Sequence, residues 1–277
     1  ISPIDIFNNN TIHDLSLLVK NNRSASTVYQ YGDYDESKND FFFIHSGNTG
    51  SEAYLPLVKR LDRWNMYCVE PYNIFNSNKR IHGISNIAKK YVEFIRPLIR
   101  SESIVIAGWS FGALVAMEIA SLLKNLNIEL VLIDPVVLHT DEEKDIWRKL
   151  NQAEHTQKYL ENSPIFENFR KLGLIDRLIE NAKYNCADME NFVPSYSGKN
   201  TILFVARDYI VDNNKEDDKA ELRIKFNNIQ KNKVYNGIEN HVQVIDKEIL
   251  PCDHDTWFNK KPLDIIVRTI NEKISFY

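Results

Sequence analysis

Cysteine, glycine and methionine are scarce in this chain of 277 residues, which holds 3 Cys, 9 Gly and 3 Met. Cys68, Cys186 and Cys252 are far apart, odd in number and without metal-ligand spacing, so neither a disulfide framework nor a zinc site is indicated. Free thiols in a reducing compartment are the simpler account, and a cytoplasmic location is expected. No apolar run reaches the roughly 18 residues of a membrane-spanning helix, and the first residues lack the basic-then-apolar pattern of a secretion signal. Charge of one sign is also missing. The 34 basic and 38 acidic residues leave a net charge of −4 without any basic stripe, which argues against nucleic acid or an anionic membrane as a partner. There is no internal repeat, no low-complexity block and no Gly-x-x-x-x-Gly-Lys-[Ser/Thr] phosphate loop. What is present is an ordinary globular balance, 43% hydrophobic and 26% charged, enough for a large core.

From residue 40 onward, short apolar strands alternate with helical stretches. Phe41–Ile44 reads as a strand, Ser51–Leu61 as a helix, Met66–Val69 as a strand and Ile84–Leu98 as a helix. Strand 103–107, helix 111–124 and strand 130–133 follow, and after an interruption come strand 202–205, helix 214–227, strand 242–245 and a terminal helix 262–274. This order predicts an α/β fold with a mostly parallel central sheet flanked by helices. In such sheets reactive side chains lie just past the carboxyl ends of strands. The interruption, 139–197, reads as consecutive amphipathic helices with no strand, an inserted lid. Its apolar residues Phe166, Phe169, Leu172, Ile175, Leu178 and Ile179 either pack on the sheet domain or line a substrate channel. Residues 22–39 are polar, poor in aliphatics and without period, which makes them a linker with something folded before it.

Chemistry concentrates in 104–120, IVIAGWSFGALVAMEIA. An apolar strand meets Gly108-Trp109-Ser110-Phe111-Gly112 and becomes an alanine-rich helix. In the nucleophile elbow of α/β-hydrolases, glycines on either side of the serine let strand and helix approach closely and push the hydroxyl into an open site. A serine hydroxyl needs a base to accept its proton, and the base needs a carboxylate to orient it and stabilise its cation. Seven histidines compete. His254, in Leu250-Pro251-Cys252-Asp253-His254-Asp255, occupies the loop between the last strand and the terminal helix, where the base of this arrangement falls. His241 sits at the wrong end of the same strand, His45 lies in the loop after the first strand and is expected to shape the pocket, and His13, His82, His139 and His155 fall where solvated or capping roles are the default. Asp253 and Asp255 beside His254 suggest a metal only superficially, since no second ligand cluster exists and no cofactor is indicated.

Two acids end strands suitably, Asp134 after LVLI and Asp208 after ILFVAR, and spacing does not choose between them. A tetrahedral intermediate also needs donors for its oxyanion. One expected donor is the N–H of Phe111, at the helix start where the dipole helps. The other is the N–H of Gly47, in the loop His45-Ser46-Gly47-Asn48-Thr49-Gly50.

Taken in order, FFFIHSGNTGSEAYLPLVKRL, NIAKKYVEFIRPL, IAGWSFGALVAMEIA, LVLIDP and LPCDHDTWF resemble the thioesterase domain of nonribosomal peptide and polyketide synthases, over about residues 40–277. The resemblance implies Asp134 as the acid, Ser110 and His254 as its partners, and Gly47 and Phe111 as the oxyanion donors. Where the family has a third glycine after the elbow, this chain has Ala113. The opening ISPIDIFNNNTIHDLSLLV resembles the end of an acyl or peptidyl carrier domain, which places a carrier remnant at 1–21, a linker at 22–39 and the thioesterase at 40–277. The implied activity is release of an acyl or peptidyl chain from a carrier's phosphopantetheine thioester by a domain acting as a monomer. Editing of stalled carriers is the alternative enzymatic role, and a non-enzymatic docking domain on the same fold is the third.

Overall fold

The structure, a computed structural model, describes residues 11, 27–76, 79–152, 167–171, 173–195, 198–207 and 219–274. Seven strands form one sheet: β1 Val28–Tyr31, β2 Asp40–Ile44, β3 Asn65–Val69, β4 Ser103–Trp109, β5 Asn127–Ile133, β6 Gly198–Ala206 and β7 Val242–Leu250. Their spatial order is β1-β3-β2-β4-β5-β6-β7, with β1 antiparallel to β3 and every other neighbouring pair parallel. The principal helices are α1 Ile84–Ile95, α2 Phe111–Leu122, α3 Asp141–Leu150, α4 Ile175–Glu190, α5 Ala220–Asn232 and α6 Lys260–Lys273. The expected α/β fold is what the chain adopts.

Because successive strand side chains point to opposite faces, each central strand feeds two cores. Phe42 and Ile44, Ile104 and Ile106, and Leu130 and Leu132 pack with α1 and α2 on one face. Phe41 and Phe43, Val105 and Ala107, and Val131 and Ile133 pack with the short helical turns after β2 and with α6 on the other. Such sandwiching requires strands that are apolar on both sides, which is why β2 and β3 are buried at every position. Helix α2 lies deepest, with Phe111 through Ala120 all buried. Its one charged residue, Glu118, accepts hydrogen bonds from Ser85 Oγ and from the Ser195 N–H and hydroxyl, at 2.8–2.9 Å. This anchors the exit of the insertion to the core.

Three departures from the sequence reading stand out. Val28–Tyr31, inside the segment read as a linker, is an edge strand; only Tyr29 of its four residues is buried, so it carries no apolar alternation to reveal it. Helix α5 begins at Ala220 and ends at Asn232, later than the expected 214–227. Strands β6 and β7 are each nine residues long, because they pair with each other over polar stretches such as Asp246-Lys247-Glu248.

Between β5 and β6 the described part of the insertion is helical, as expected: α3, a short helix Glu167–Lys171, and α4. Phe169, Leu178 and Ala182 are buried together with Ile74, with Ile175 and Ile179 partly buried beside them, so this part of the apolar face packs on the helical turn Tyr72–Phe75 after β3. The carrier-like opening apart from Thr11, the rival acid Asp208, His13, His155, and the side chains of Phe166 and Leu172 lie outside the described residues. Among the described residues no helix is long and apolar enough to cross a membrane.

Candidate active site

The strand order reverses direction between β2 and β4, and the loops leaving their carboxyl ends face each other there, the usual place for a site in an open α/β sheet. At the end of β4 the backbone turns sharply into α2, with Ser110 at φ 55° and ψ −121°. The turn exists only because its neighbours lack side chains. A Cβ on Gly108 would lie 2.2 Å from the Gly112 carbonyl oxygen, and one on Gly112 would lie 2.2 Å from that of His45. Tyr54, fully buried, pins the same junction by donating to the Ile44 carbonyl at 2.6 Å and accepting from the Trp109 N–H at 2.9 Å.

Ser110, His254 and Asp134 form a continuous hydrogen-bonded chain. Nδ1 of His254 lies 2.6 Å from Asp134 Oδ2 and its Nε2 lies 2.9 Å from Ser110 Oγ. With Nδ1–H directed at the carboxylate, the neutral ring presents Nε2 as an acceptor for the serine proton. Asp134 is buried at the end of β5 with φ 44°, and its Oδ1 accepts from the Ala206 N–H at 3.1 Å and from Asn236 Nδ2 at 2.8 Å. All three hydrogen bonds orient the carboxylate, which leaves it little freedom to rotate.

His254 stands in the loop between β7 and α6. That loop is held locally by Asp253, whose Oδ1 accepts from the Asp255 N–H and the Thr256 hydroxyl, and by Trp257, buried edge-on against Trp109. The carboxylate of Asp253 is thus engaged within its own turn. No group of three or more His, Cys, Asp or Glu suited to a metal occurs among the described residues. Burial alone would lower the His254 pKa, but the hydrogen bond and charge of Asp134, with Asp255 and Asp253 nearby, outweigh it and push the pKa up to about 9. The site therefore favours the charged imidazolium form of His254.

Three of the other described histidines serve elsewhere. His45 is buried, which lowers its pKa to about 4 and keeps it neutral. Its Nδ1–H donates to the Ser46 carbonyl and its Nε2 accepts from the Tyr91 hydroxyl, both at 2.5 Å, so it shapes the loop after β2. His241 sits at the start of β7, the opposite end of the strand from His254, and His139 bonds the Gly237 carbonyl at 2.7 Å. In the loop after β2, Gly47 lies against the elbow: a Cβ there would come 3.3 Å from Phe111 Cβ. The two expected oxyanion donors thus belong to adjacent residues in space, and the Phe111 N–H, first in α2, has no intrahelical partner.

The thioesterase-domain family model matches residues 40–274. The chain belongs to the thioesterase domain family. This thioesterase is 30% identical over 100 residues to the N-(5-amino-5-carboxypentanoyl)-L-cysteinyl-D-valine synthase of Penicillium rubens (strain ATCC 28089 / DSM 1075 / NRRL 1951 / Wisconsin 54-1255), a match that covers 35% of this chain and 3% of that synthase. In structure it is similar to the NocB thioesterase domain from the nocardicin cluster, with a TM-score of 0.60 and 18% identity over 90% of this chain and 99% of that one. It is also similar to SrfTE, the thioesterase domain described as cyclising the lipopeptide antibiotic surfactin, with a TM-score of 0.55 and 13% identity over 92% and 99% of the two chains. These likenesses show a shared α/β-hydrolase fold.

Several polar residues of the thioesterase's site leave little trace in the sequence. Asn236, at φ 52° and buried, reads as an ordinary turn residue, yet its amide holds Asp134 while its Oδ1 accepts from Arg207 at 3.3 Å. Asn181 and Asn185 of α4 both donate to the Gly47 carbonyl at 2.9 Å. A buried Asn pair spaced i, i+4 on an otherwise amphipathic helix is the one available cue. Ser110, Asp134 and Asn236 are three of the four non-glycine residues at positive φ among those described, so backbone strain gathers at this site.

Proposed function

We propose that this thioesterase ends a biosynthetic assembly line, taking an acyl or peptidyl chain from the phosphopantetheine thioester of an upstream carrier domain. In this reading His254 accepts the Ser110 proton as Oγ attacks the thioester carbonyl, and Asp134 holds the imidazolium. The N–H groups of Phe111 and Gly47 stabilise the oxyanion. Collapse of the tetrahedral intermediate breaks the carbon–sulfur bond, and His254 returns its proton to the departing thiolate. Water, or an amine or hydroxyl of the chain itself, then attacks the acyl-serine with His254 again as base, giving hydrolysis or cyclisation. No resident cofactor is needed, because the pantetheine arm arrives with the substrate.

The observation that carries this reading is the unbroken hydrogen-bonded chain from Ser110 through His254 to Asp134 at the carboxyl rim of the sheet. Support for chain release over editing comes from the carrier-like opening of the sequence and from the similarity to SrfTE and NocB. Cys68 and Cys186, both free thiols, support a cytoplasmic setting. The test is Ser110→Ala, with acylation by a pantetheine-linked chain followed by mass spectrometry. The variant is expected to lose both the covalent adduct and fluorophosphonate labelling; an adduct that survives would refute the role of Ser110. In the parent, faster clearance of acetyl-carriers than of long chains would move the assignment to editing.

A further inference from the structure

Gly47 belongs to the loop after β2, but its carbonyl is held from outside the sheet. Two side chains one helical turn apart on α4, Asn181 and Asn185, each donate to that single oxygen at 2.9 Å, occupying both lone pairs. Both asparagines are buried, with relative exposures of 1% and 4%. The orientation of Asn181 is set by a third residue. Arg80 has only donors to offer, and its Nη1 contacts Asn181 Oδ1 at 3.2 Å, so Nδ2 must be the atom turned toward Gly47. Arg80 is itself fixed, pairing with Glu180 at 3.4 Å and lying over the Tyr184 ring at 4.6 Å. Helix α4 is further tied down by the Gly83 N–H donating to Asp188 at 2.9 Å and by Arg177 donating to the Ile74 carbonyl at 3.2 Å.

Gly47 is also wedged sterically, since a Cβ there would sit 3.3 Å from Phe111 Cβ and 3.5 Å from Asn185 Nδ2. The loop is therefore located between the elbow helix and the inserted helix. We propose that Asn181 and Asn185 are positioning residues that hold the oxyanion loop through the Gly47 carbonyl, so that a complete oxyanion hole requires α4 packed in its place. The inference rests on the reading of Ser110 as nucleophile and of Gly47 as an oxyanion donor. Its physical basis is that an oxyanion donor acts only if it is preorganised where charge develops, and fixing the Gly47 carbonyl fixes the backbone torsion beside its own N–H. The insertion then does more than cover the site, because it supplies part of the scaffold for transition-state stabilisation.

The test is Asn181→Leu, Asn185→Leu and the double variant, which remove the donors at similar volume. They are assayed on a pantetheine-linked acyl thioester and with a trifluoromethyl ketone carrying the same acyl group, which forms a tetrahedral oxyanion adduct on serine. Each single variant is expected to lose about 5-fold in kcat, because one donor remains, and the double variant on the order of 100-fold, approaching the loss of an oxyanion donor outright. KM should stay within about two-fold, and affinity for the ketone should fall in parallel with kcat/KM, a signature that loss of general stability does not produce. A folded double variant that keeps kcat within about two-fold, or a loss confined to KM with the ketone affinity unchanged, overturns the proposal. If circular dichroism shows the double variant unfolded, Arg80→Met decides instead, with an expected loss of about 3-fold in kcat and the same KM and ketone pattern; no change in kcat there overturns it. Ser110→Ala assayed in parallel separates the two ideas. Turnover that persists in that variant defeats the reading of the site, whereas inactivity of Ser110→Ala beside silent asparagine variants defeats the clamp alone.

Discussion

Asp134→Asn is the sharpest perturbation of the site, because it preserves shape while removing one charge. The amide oxygen of the introduced asparagine could still accept from the Ala206 N–H and from Asn236, as Oδ1 of the acid does at 3.1 and 2.8 Å. What disappears is the anion 2.6 Å from His254 Nδ1. That anion, with two aspartates nearby, raises the His254 pKa from 6.5 to about 9 against a burial effect of opposite sign. The rise corresponds to roughly 3 kcal/mol of preference for the imidazolium. Two consequences follow with definite signs. Since the folded pKa lies above the unfolded one, the interaction adds its full stability below about pH 6.5 and loses it as pH climbs through about 9. Chemical denaturation of parent and variant at several pH values should therefore give a gap in unfolding free energy of about 2–3 kcal/mol at pH 6, narrowing toward zero above pH 9.

In the proposed mechanism His254 must be neutral to act as base, so kcat/KM of the parent should rise with pH along a limb centred near 9. In the variant burial dominates, and the limb should move to below about 6.5 while the plateau falls by roughly 10³–10⁴ because the imidazolium and its tautomer lose their support. Single-turnover acylation, corrected for spontaneous thioester hydrolysis, reads both effects. A limb that stays near 9 in Asp134→Asn, or a stability gap that does not change with pH, would show that Asp134 is not the group controlling His254.

Two further substitutions test the scaffold beneath the site. Gly112→Ala places a Cβ 2.2 Å from the His45 carbonyl oxygen and 2.6 Å from that of Ile44, both backbone atoms, so β2 or the elbow must move; we expect a loss of about 3 kcal/mol or more together with loss of serine labelling, measured by thermal melting and a fluorophosphonate probe, and a parent-like melting temperature would refute the steric reading. Glu143→Gln leaves Lys233 without its anion at the entrance of the insertion, where the carboxylate also accepts from the His139 and Thr140 N–H groups at 2.7 and 2.9 Å. Although burial raises the Glu143 pKa, Lys233 and these backbone donors outweigh it and hold it below 4.5, so its contribution is present above about pH 4.5 and lost in acid. At pH 7 the variant should be about 3 kcal/mol less stable by denaturant titration, and a difference that does not shrink on acidification would contradict the linkage.

How legible the site was in the sequence depended on whether each residue's role leaves a local trace. The elbow does: an apolar run, two glycines around a serine and an alanine-rich helix are all required by contacts as short as the 2.2 Å that a Cβ on Gly108 or Gly112 would make. His254 does too, through its place between the last strand and the terminal helix. The choice between Asp134 and Asp208 left no trace, because any strand can end in a carboxylate, and only a family resemblance separated them; the geometry now on view is that of Asp134, which bonds His254. Edge strand β1 was missed because its burial is confined to Tyr29, so a half-solvated strand of VYQY looks like linker.

The asparagines were invisible for a deeper reason. Asn is a turn former by habit, and its partners here are a carboxylate 102 positions away in sequence for Asn236 and a backbone oxygen for Asn181 and Asn185. A carbonyl has no side-chain identity, so nothing at position 47 announces what must reach it. The elements that generate the reacting groups can thus be found by pattern, while those that hold the groups in register are written in tertiary placement. That difference makes the α4 contact to Gly47 the point at which a substitution far from Ser110 in sequence should change the chemistry at Ser110.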